Sequence, residues 1–383
     1  MRFSVDAHAI GRHLTGNEVY IRNLLAFLAE VDKQVELVAY VSTKEANRWV
    51  PPGVKTKMVS SNPFLRLGCD LPLKLRQDRP DLVHVQYTAP LGCPVPVVVT
   101  VHDVSFVDHP EYFSRARAVQ LRLTVRRTVL SAAKVLTGSE FSRRSIIKAY
   151  GLNDEKVVVI PNAAARCFRP LPPQTTAASV AFRFGITSPY VLMVGDHQPR
   201  KNQVGLVRAF ADLLRTRPEL PHHLLMAGKE SGYTRSIGRA IRDVGLQERV
   251  HLLGFVSDEE LVELYNGCEL FVFPSFYEGF GLPVLEAMAC GRAVACSNAS
   301  ALPEVVDAAA LLFDPFSTAE MTRAMLDLIL DPELRRRMEK EGLRRAARFS
   351  WQKTAEQTLG VYKLAASVRE KLGRRSAFVA TVK

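Results

Sequence analysis

The sequence predicts an α/β protein with two doubly wound domains, each built on a parallel sheet covered by helices. Short apolar strands alternate with amphipathic helices along most of the chain, which is typical of parallel sheets with crossover helices. The chain has 383 residues, which is long for one hydrophobic core and suits two. A proline-rich stretch without periodicity, residues 162–179, interrupts the alternation once and is interpreted as a linker.

The first series of elements fills the first half of the chain. Its strands are short apolar segments, expected at Arg2–Asp6, Val35–Val41, Asp81–Gln86, Val95–Asp103, Lys134–Ser139 and Lys156–Pro161. Its helices show apolar residues at three- and four-residue spacing and are expected at Asn17–Val31, Ser114–Ala132 and Glu140–Tyr150. Ser139 fits the N-cap of the last of these helices.

A second series follows the linker. Its strands are expected at Tyr190–Gly195, His223–Ala227, Arg249–Phe255, Glu269–Pro274, Arg292–Ser297 and Ala310–Phe313. Its helices include Asn202–Thr216, Asp258–Asn266 and Pro283–Cys290, and Ser257 with Glu260 forms a capping box. We therefore expect one domain over residues 1–170 and another over 171–364, with a helix from about 365 to 383 packing back on the first.

The composition excludes several classes of protein. No apolar run approaches the roughly 20 residues of a membrane-spanning helix, and residues 1–6 do not resemble a signal peptide. The six cysteines form no CxxC pair, so free thiols are favoured over disulfides or a zinc site. These features predict a cytoplasmic protein.

Positive charge is concentrated in the first half of the chain. Residues 1–170 contain 24 Lys and Arg against 15 Asp and Glu, within a formal net charge of +12 for the whole chain. This excess fits an anionic partner, but solubilising charge explains it equally well. The basic segment Arg115–Arg127 fits either a helix on an anionic membrane or an outer helix packed on the sheet. The second interpretation is preferred.

The stretch Pro274–Gly291, PSFYEGFGLPVLEAMACG, places a glycine-bearing turn between a strand and a helix. The backbone N–H groups at the helix start, those of Phe280, Gly281 and Leu282, are suited to binding phosphate. Two carboxylates, Glu278 and Glu286, flank the turn. Beside a phosphate they fit hydrogen-bond acceptors for sugar or ribose hydroxyls, although Glu286 alone also fits a favourable charge near a helix start.

A second motif, Met193–Asn202 or MVGDHQPRKN, has the same strand-to-helix context. Gly195 ends the strand, and Arg200 and Lys201 precede the next helix. Two cations oppose the helix dipole there, and an anionic ligand such as a diphosphate removes the conflict. A solvated basic turn is about as plausible for this motif taken alone.

Together these motifs resemble the retaining glycosyltransferases of the GT-B fold, in the group called family 4. The most specific element is the pair Glu278 and Glu286, with seven residues between them, inside YEGFGLPVLEAMACG. Other matching segments are SDEELVELY, SALPEV, LLFDP, TVHDVSF, SEFSRRSI and VIPNA. The resemblance implies two Rossmann-like domains facing a central cleft, the first binding the acceptor and the second the nucleotide-sugar.

The resemblance also implies roles for individual residues. Arg200 and Lys201 are expected to bind the donor diphosphate, with Gly195 leaving room for it. Glu278 is expected to contact the transferred sugar and Glu286 the ribose. His102, at a strand end, is expected to reach the donor sugar and to be catalytic together with Glu278, Arg200 and Lys201. Further donor contacts are implied at Gly16, in an N-terminal loop, and at the backbone of Val256, near the base. Asp103 fits either an ordering residue of its loop or an acceptor contact.

The implied chemistry is transfer of a hexose with retention of configuration, without metal or other cofactor. TVHDVSF looks like mannosyltransferase-type members, so GDP-mannose is the favoured donor, with UDP-sugars and dTDP-rhamnose open. The expected acceptor is a glycan or a lipid-linked glycan, which leaves open a peripheral contact with the inner membrane face. Alternatives are a nucleotide-sugar epimerase or hydrolase on the same fold, and a non-catalytic nucleotide-sugar-binding protein. No nucleic-acid-reading motif is present.

Overall fold

The computed structural model describes residues 1–12 and 15–381, apart from the side chains of Thr15, Thr175 and residues 368–381. The chain divides into two compact units. The first unit comprises Met1–Asn162 together with the chain from Ser350 onward, and the second comprises Ala163–Phe349. We predicted boundaries near residues 170 and 364, so each division lies earlier in the chain than the sequence indicated.

The first unit contains a parallel sheet whose seven described strands are β1 (Arg2–Asp6), β2 (Glu36–Val41), β3 (Lys55–Met58), β4 (Leu82–Gln86), β5 (Val97–Thr100), β6 (Lys134–Thr137) and β7 (Val157–Val159). Their order is β3-β2-β1-β4-β5-β6-β7. Sequence analysis missed β3, because its residues KTKM are all exposed at the sheet edge and carry no apolar alternation.

Helices cover this sheet at Thr15–Val31, Arg115–Ser131, Glu140–Tyr150 and Trp351–Thr381, with shorter helical segments at Glu45–Arg48, Pro63–Leu65, Arg66–Asp70, Leu71–Asp78, Ser105–Asp108, Pro110–Tyr112 and Asp154–Lys156. The side chain of Ser139 accepts a hydrogen bond from the backbone N–H of Ser142, as an N-cap does. We missed the helical run over residues 63–78.

The last helix packs on the first unit through residues that precede the predicted start at about 365. The ring of Tyr362 lies 5.3 Å from that of Phe3 in an edge-on contact, and Nζ of Lys363 lies 2.8 Å from Oδ2 of Asp32. The helix begins at Trp351. Residues 382–383 of the predicted helix lie outside the described residues.

The second unit contains another parallel sheet, whose described strands are β8 (Tyr190–Val194), β9 (His223–Ala227), β10 (Val250–Gly254), β11 (Leu270–Phe273), β12 (Ala293–Ser297) and β13 (Leu311–Phe313). Their order is β10-β9-β8-β11-β12-β13. All six strands were predicted, most of them one or two residues too long. The strand order reverses between β8 and β11, which makes their carboxyl ends the topological switch point.

Helices of the second unit lie at Pro173–Phe184, Gln203–Thr216, Thr234–Asp243, Asp258–Gly267, Leu282–Ala289, Leu302–Val306, Thr318–Leu330 and Pro332–Ala346, with a 3-10 turn at Pro199–Lys201. The capping box of Ser257 and Glu260 forms with both of its hydrogen bonds. We missed the helix Thr234–Asp243.

The predicted linker is wrong over its second half, because Pro173–Phe184 is a helix of the second unit. Its Val180 is buried in the same apolar cluster as Phe168 and Tyr265, and the amide oxygen of Asn266 accepts a hydrogen bond from the backbone N–H of Leu171 at 2.8 Å. Burial of these apolar side chains ties the segment to the second unit.

Both faces of the second sheet are buried, which explains why its strands read as apolar runs. Along β11, Phe271 and Phe273 belong to one core cluster, while Leu270 and Val272 belong to the other. Helices therefore cover the sheet on both sides, as expected for a doubly wound parallel sheet.

Candidate functional site

The residues predicted to bind an anion lie where the strand order of the second sheet reverses. β8 leads into Gly195 and the 3-10 turn Pro199–Lys201, and its neighbour β11 leads to Glu278. A Cβ atom added to Gly195 would lie 3.4 Å from Cδ of Lys201, so a side chain at this position would pack against the aliphatic part of the lysine. Ligands of doubly wound sheets bind outside the strand ends at such a point.

A buried ion cluster joins two cations to one carboxylate at this point. Nζ of Lys201 lies 2.6 Å from Oε1 of Glu278, and Nη1 of Arg200 lies 3.2 Å from the same oxygen. Lys201 is 8% exposed and Glu278 is 7% exposed. Burial raises the pKa of the Glu278 carboxyl, but the two cations outweigh this effect and hold the pKa below its usual range. The three side chains together carry one net positive charge.

Hydrogen bonds to the backbone connect the segment that carries Arg200 to the segment that precedes Glu278. The carbonyl oxygen of Arg200 accepts a hydrogen bond from the N–H of Phe276 at 2.8 Å, and Nη1 of Arg200 donates to the carbonyl oxygen of Tyr277 at 3.0 Å. Asn202 has a left-handed conformation, with φ of 56°, at the N-cap of the helix Gln203–Thr216, a conformation that asparagine adopts more easily than most residues. The helix therefore begins one residue later than predicted.

The glycine-bearing turn after β11 is built around Gly281. This residue has φ of 103° and forms the N-cap of the helix Leu282–Ala289. A Cβ atom at Gly281 would lie 2.5 Å from Cδ2 of Leu302, so only glycine fits both the conformation and the space. We predicted Pro283 as the first helical residue, whereas the helix begins at Leu282. Phe280 is buried, and its ring lies 5.9 Å from that of Phe349.

Glu286 lies deeper in this helix than the sequence indicated. We placed it in the first helical turn, but it is the fifth residue of the helix and 6% exposed. The hydroxyl of Tyr265 donates a hydrogen bond to Oε2 of Glu286 at 2.9 Å. Burial, followed by the charge of Glu286, raises the pKa of Tyr265. The structure thus explains how a carboxylate is accommodated in the interior.

Sequence analysis missed Tyr265, Ser300 and Gly228. Oγ of Ser300 accepts a hydrogen bond from the backbone N–H of Glu278 at 2.8 Å. A Cβ atom at Gly228, after β9, would lie 2.1 Å from the carbonyl oxygen of Gly195. Of these three residues, only Tyr265 could have been found from the sequence, because a tyrosine on the apolar face of a helix needs a partner for its hydroxyl. Val256 is partly buried against the core cluster on one face of the sheet.

The predicted site residue of the first unit, His102, lies just after β5. Its Nε2 lies 2.9 Å from Oε1 of Gln86, at the end of the adjacent β4. Its ring lies 4.8 Å from that of Tyr20 in an edge-on contact. Burial lowers the pKa of His102 to about 4, although Asp103 opposes the shift. The imidazole is therefore neutral near pH 7.

The structure assigns a local role to Asp103, for which the sequence left two options. Its Oδ1 accepts hydrogen bonds from the backbone N–H of Ser105 at 2.9 Å and from the hydroxyl of Ser105 at 2.6 Å. Asp103 therefore orders its own loop. Gly16 is exposed near the start of the helix Thr15–Val31, and an added Cβ atom would meet no described atom within 4 Å.

Each of the two units matches the model of a known protein family. Residues 14–164 match the model of Glycosyltransferase Family 4, and residues 179–345 match that of Glycosyl transferases group 1. The chain is 35% identical to O-antigen chain mannosyltransferase B of Escherichia coli over 70% of each chain. The chain belongs to the group 1, family 4 glycosyltransferases. This confirms the resemblance noted in the sequence and the enzyme class.

Two further relatives define the breadth of the similarity. The chain is 29% identical to a D-inositol 3-phosphate glycosyltransferase of Nocardia farcinica, covering 91% of this chain and 85% of that protein. It superposes with a TM-score of 0.75 on Anabaena Alr3699/HepE in complex with UDP-glucose, at 20% identity over 94% of this chain and 99% of that one. The two parallel Rossmann-like sheets and these neighbours confirm the GT-B fold.

The described residues include neither a membrane-spanning helix nor a cluster of metal ligands. None of their helices has the length and apolar character needed to cross a bilayer. No group of three or more His, Cys, Asp or Glu side chains among them is arranged to hold a metal ion.

Proposed function

We propose that this glycosyltransferase moves a mannosyl residue from GDP-mannose to a glycan or lipid-linked acceptor, with retention of configuration. The observation that carries the proposal is the buried cluster of Arg200, Lys201 and Glu278 at the switch point of the second sheet. The mannosyl preference is supported by the name of the Escherichia coli relative, a mannosyltransferase.

The net charge of the cluster supports a diphosphate ligand. Lys201 and Glu278 are buried and Arg200 is partly exposed, and the two cations outnumber the carboxylate, so the cluster presents positive charge at the switch point. A diphosphate bound between Arg200 and Lys201 complements this charge and gains charge-assisted hydrogen bonds. The N–H groups of Phe280, Gly281 and Leu282, at the start of the helix Leu282–Ala289, lie on the same turn as Glu278 and extend the anion-binding surface.

The same charges promote departure of the nucleotide. As the bond between the sugar C1 and the phosphate oxygen breaks, negative charge develops on the diphosphate, and Arg200 and Lys201 stabilise it. These residues supply positive charge without a metal. The acceptor oxygen forms the new bond to C1 on the same face, and its proton passes to the departing diphosphate. Glu278, paired with two cations, is a weak nucleophile, which favours this front-face route over a covalent intermediate.

The remaining predicted residues have binding roles in this proposal. Glu286, held by Tyr265, accepts hydrogen bonds from the ribose hydroxyls, and Val256 lies near the base. Neutral His102 contacts the transferred sugar. Gly16 and Gly195 allow the diphosphate to approach the backbone.

A panel of nucleotide-sugars, scored by thermal shift and by transfer, tests the donor. GDP-mannose is expected to raise the melting temperature more than UDP-glucose or dTDP-rhamnose, because a ligand that binds only the folded state stabilises it. Lys201→Met is expected to lower kcat/KM by about a hundredfold, the effect typical of losing one charged stabiliser of a leaving group.

Lys340→Met, which removes an exposed lysine of the same unit, is the matched control and is expected to retain wild-type kinetics. Equal activity of Lys201→Met and Lys340→Met would contradict the proposed diphosphate site. Rapid conversion of donor to free sugar or to an epimer without acceptor would favour the hydrolase or epimerase alternative. Donor binding without transfer to any acceptor would favour a binding protein.

An inositol phosphate is a second candidate acceptor. The Nocardia farcinica relative, a D-inositol 3-phosphate glycosyltransferase, is similar over 91% of this chain, more of it than the Escherichia coli relative covers. Product formation with inositol phosphate but with no mannose-containing oligosaccharide would favour this acceptor.

The basic helix Arg115–Ser131 supports contact with an anionic membrane. It buries Ala118, Val125 and Val129 against the first unit, as expected for an outer helix. It also exposes an apolar stripe, with Val119 at 55%, Leu123 at 66% and Leu130 at 43%. The helix has five arginines and no acidic residue, which complements anionic headgroups.

Sedimentation with vesicles tests this contact. We expect binding to vesicles containing phosphatidylglycerol and not to pure phosphatidylcholine, and Leu123→Ser is expected to weaken it. Leu343→Ser, which changes an exposed leucine of the second unit, is the control. Equal binding of both variants would place the membrane contact elsewhere.

A further inference from the structure

Gln86 connects His102 to the start of the helix Thr15–Val31. It lies at the carboxyl end of β4, at the point where the strand order of the first sheet reverses between β1 and β4. Its Nε2 donates a hydrogen bond to the carbonyl oxygen of Asn17 at 3.2 Å. Its Oε1 lies 2.9 Å from Nε2 of His102. Gln86 is 6% exposed, so water does not readily replace these partners.

The hydrogen-bond chemistry of this chain fixes the position of one proton. The carbonyl oxygen of Asn17 can only accept, so the amide nitrogen of Gln86 must face it. The amide oxygen of Gln86 therefore faces His102, and an amide oxygen can also only accept. Nε2 of His102 must then carry the hydrogen, which leaves Nδ1 of the neutral ring with a lone pair.

The rest of the environment keeps the ring in place and neutral. Tyr20 and Tyr87 contact it edge-on, at ring-centroid distances of 4.8 and 5.7 Å. Burial holds the pKa of His102 at about 4, against the charge of Asp103. Within the described residues, Nδ1 of His102 makes no hydrogen bond.

We propose that Gln86 is a positioning residue, which holds His102 as the Nε2–H tautomer so that Nδ1 accepts a hydrogen bond from a hydroxyl of the bound sugar. The identity of that ligand rests on the proposed function, whereas the tautomer does not. A hydroxyl that donates to Nδ1 cannot be replaced by fluorine, because carbon-bound fluorine has no hydrogen to donate. Gln86 and His102 together therefore favour a sugar that carries a hydroxyl at this position over one that carries fluorine.

Nuclear magnetic resonance of the 15N-labelled full-length protein reads the tautomer directly, with His102→Ala used to assign the ring signals. In the wild type we expect a protonated Nε2 and an unprotonated Nδ1 from pH 8 down to pH 5.5. Gln86→Met, which keeps the size and removes both polar atoms, is expected to give a mixture of tautomers. A wild-type ring protonated at Nδ1 would overturn the proposal, whatever the activity of the enzyme.

Transfer kinetics with a set of deoxyfluoro donor analogues supply the second readout. At one sugar position, the wild type is expected to prefer the hydroxyl over fluorine by about tenfold, the effect of one hydrogen bond. In Gln86→Met this preference is expected to fall to about twofold, with kcat reduced more than KM is raised. An unchanged preference in a variant with mixed tautomers would remove the specificity role and leave a structural one.

The carboxylate variant separates positioning from simple loss of structure. In Gln86→Glu the side chain still accepts from Nε2, and its negative charge raises the pKa of His102, in the same direction as the weaker effect of Asp103. The other titratable groups that face the ring, His84, Tyr20 and Tyr87, are neutral. Activity is then expected to fall as the pH falls through that raised pKa, because a protonated Nδ1 no longer accepts. Gln34→Glu, at an exposed position of the same unit, is the control and should keep the wild-type pH profile. An unchanged profile in Gln86→Glu would contradict the proposal.

Discussion

At the scale of single residues, the hydroxyl of Tyr265 is one of the groups that stabilise the buried carboxylate of Glu286. Oε2 of Glu286 accepts the hydrogen bond from this hydroxyl at 2.9 Å, and both residues lie in the interior of the second unit. A buried carboxylate that loses one such donor has less compensation for its desolvation cost. Tyr265 therefore contributes to stability and holds the orientation of Glu286.

Tyr265→Phe is expected to lower the free energy of unfolding by about 1–3 kcal/mol, the cost of leaving a buried polar group with one partner fewer. The KM for the nucleotide-sugar is expected to rise, because Glu286 is less well oriented for the ribose. Urea denaturation and initial-rate kinetics measure the two effects.

Tyr150→Phe provides a matched control in the first unit. The hydroxyl of Tyr150 is buried without a hydrogen-bond partner, so its removal is expected to leave stability unchanged or slightly higher. If Tyr265→Phe were as stable as Tyr150→Phe, the hydrogen bond to Glu286 would not be what sustains the buried carboxylate.

At the scale of elements, the ends of β8 and β9 approach each other more closely than side chains allow. Gly195 follows β8 and Gly228 follows β9, and the N–H of Gly195 donates to the carbonyl oxygen of Ala227 at 2.8 Å. The close approach at Gly228 shapes the loop that leads to Arg200 and Lys201. The glycines thus connect sheet geometry to the ion cluster.

Gly228→Ala is expected to lower the free energy of unfolding by about 1–3 kcal/mol, in the range of overpacked core sites. Its Cβ would lie 2.1 Å from the carbonyl oxygen of Gly195, so the backbone must move, and donor binding is expected to weaken. Thermal unfolding and donor titration are the measurements.

Gly232→Ala serves as the comparison, since an added Cβ atom there meets no described atom within 4 Å. It is expected to change stability by less than about 0.5 kcal/mol, as is usual for surface substitutions. Equal stability of the two alanine variants would show that the loop after β8 adjusts freely.

At the scale of the whole molecule, the two units can be observed separately. The two tryptophans of the chain, Trp49 and Trp351, both lie in the first unit. Tryptophan emission therefore reports the unfolding of that unit. In its interior, Nε2 of His84 lies 2.7 Å from Oγ1 of Thr100, and Nδ1 contacts the hydroxyl of Tyr362 on the last helix.

The first unit is expected to lose stability in acid because of His84. Burial lowers the pKa of His84 to about 3, whereas an unfolded imidazole titrates near 6.5. The unfolded chain binds a proton that the folded unit excludes, so stability falls as the pH falls from about 6.5 towards 3. The slope for this residue approaches about 1.4 kcal/mol per pH unit. Urea titrations followed by tryptophan emission at pH 7 and pH 5 measure it.

His84→Gln is expected to be less stable than the wild type at pH 7. Its free energy of unfolding is expected to fall less than that of the wild type between pH 7 and pH 5. His109→Gln, which replaces a partly exposed histidine, is expected to keep the wild-type fall in the free energy of unfolding between pH 7 and pH 5. If the free energy of unfolding of His84→Gln falls with pH as steeply as that of the wild type, other groups, such as His102, cause the loss of stability in acid.

Much of this architecture could be predicted from the sequence, because parallel strands buried on both faces form apolar runs between amphipathic helices. The missed elements lack that signal. β3 is an exposed edge strand, and the helix Pro173–Phe184 begins in a proline-rich stretch that resembles a linker. Tertiary contacts, not local propensity, assigned both of them.

The sequence by itself determined the fold class, the family and the candidate residues, because glycine turns, strand ends and the spacing of Glu278 and Glu286 are local features. Only the tertiary structure decided which groups are in contact. The pairing of Glu278 with Arg200 and Lys201, the hydrogen bond from Tyr265 to Glu286, and the proton position that Gln86 imposes on His102 each join residues from different strands or helices. Sequence spacing carries no information about such contacts, since they depend on strand order and on how side chains share a desolvated interior.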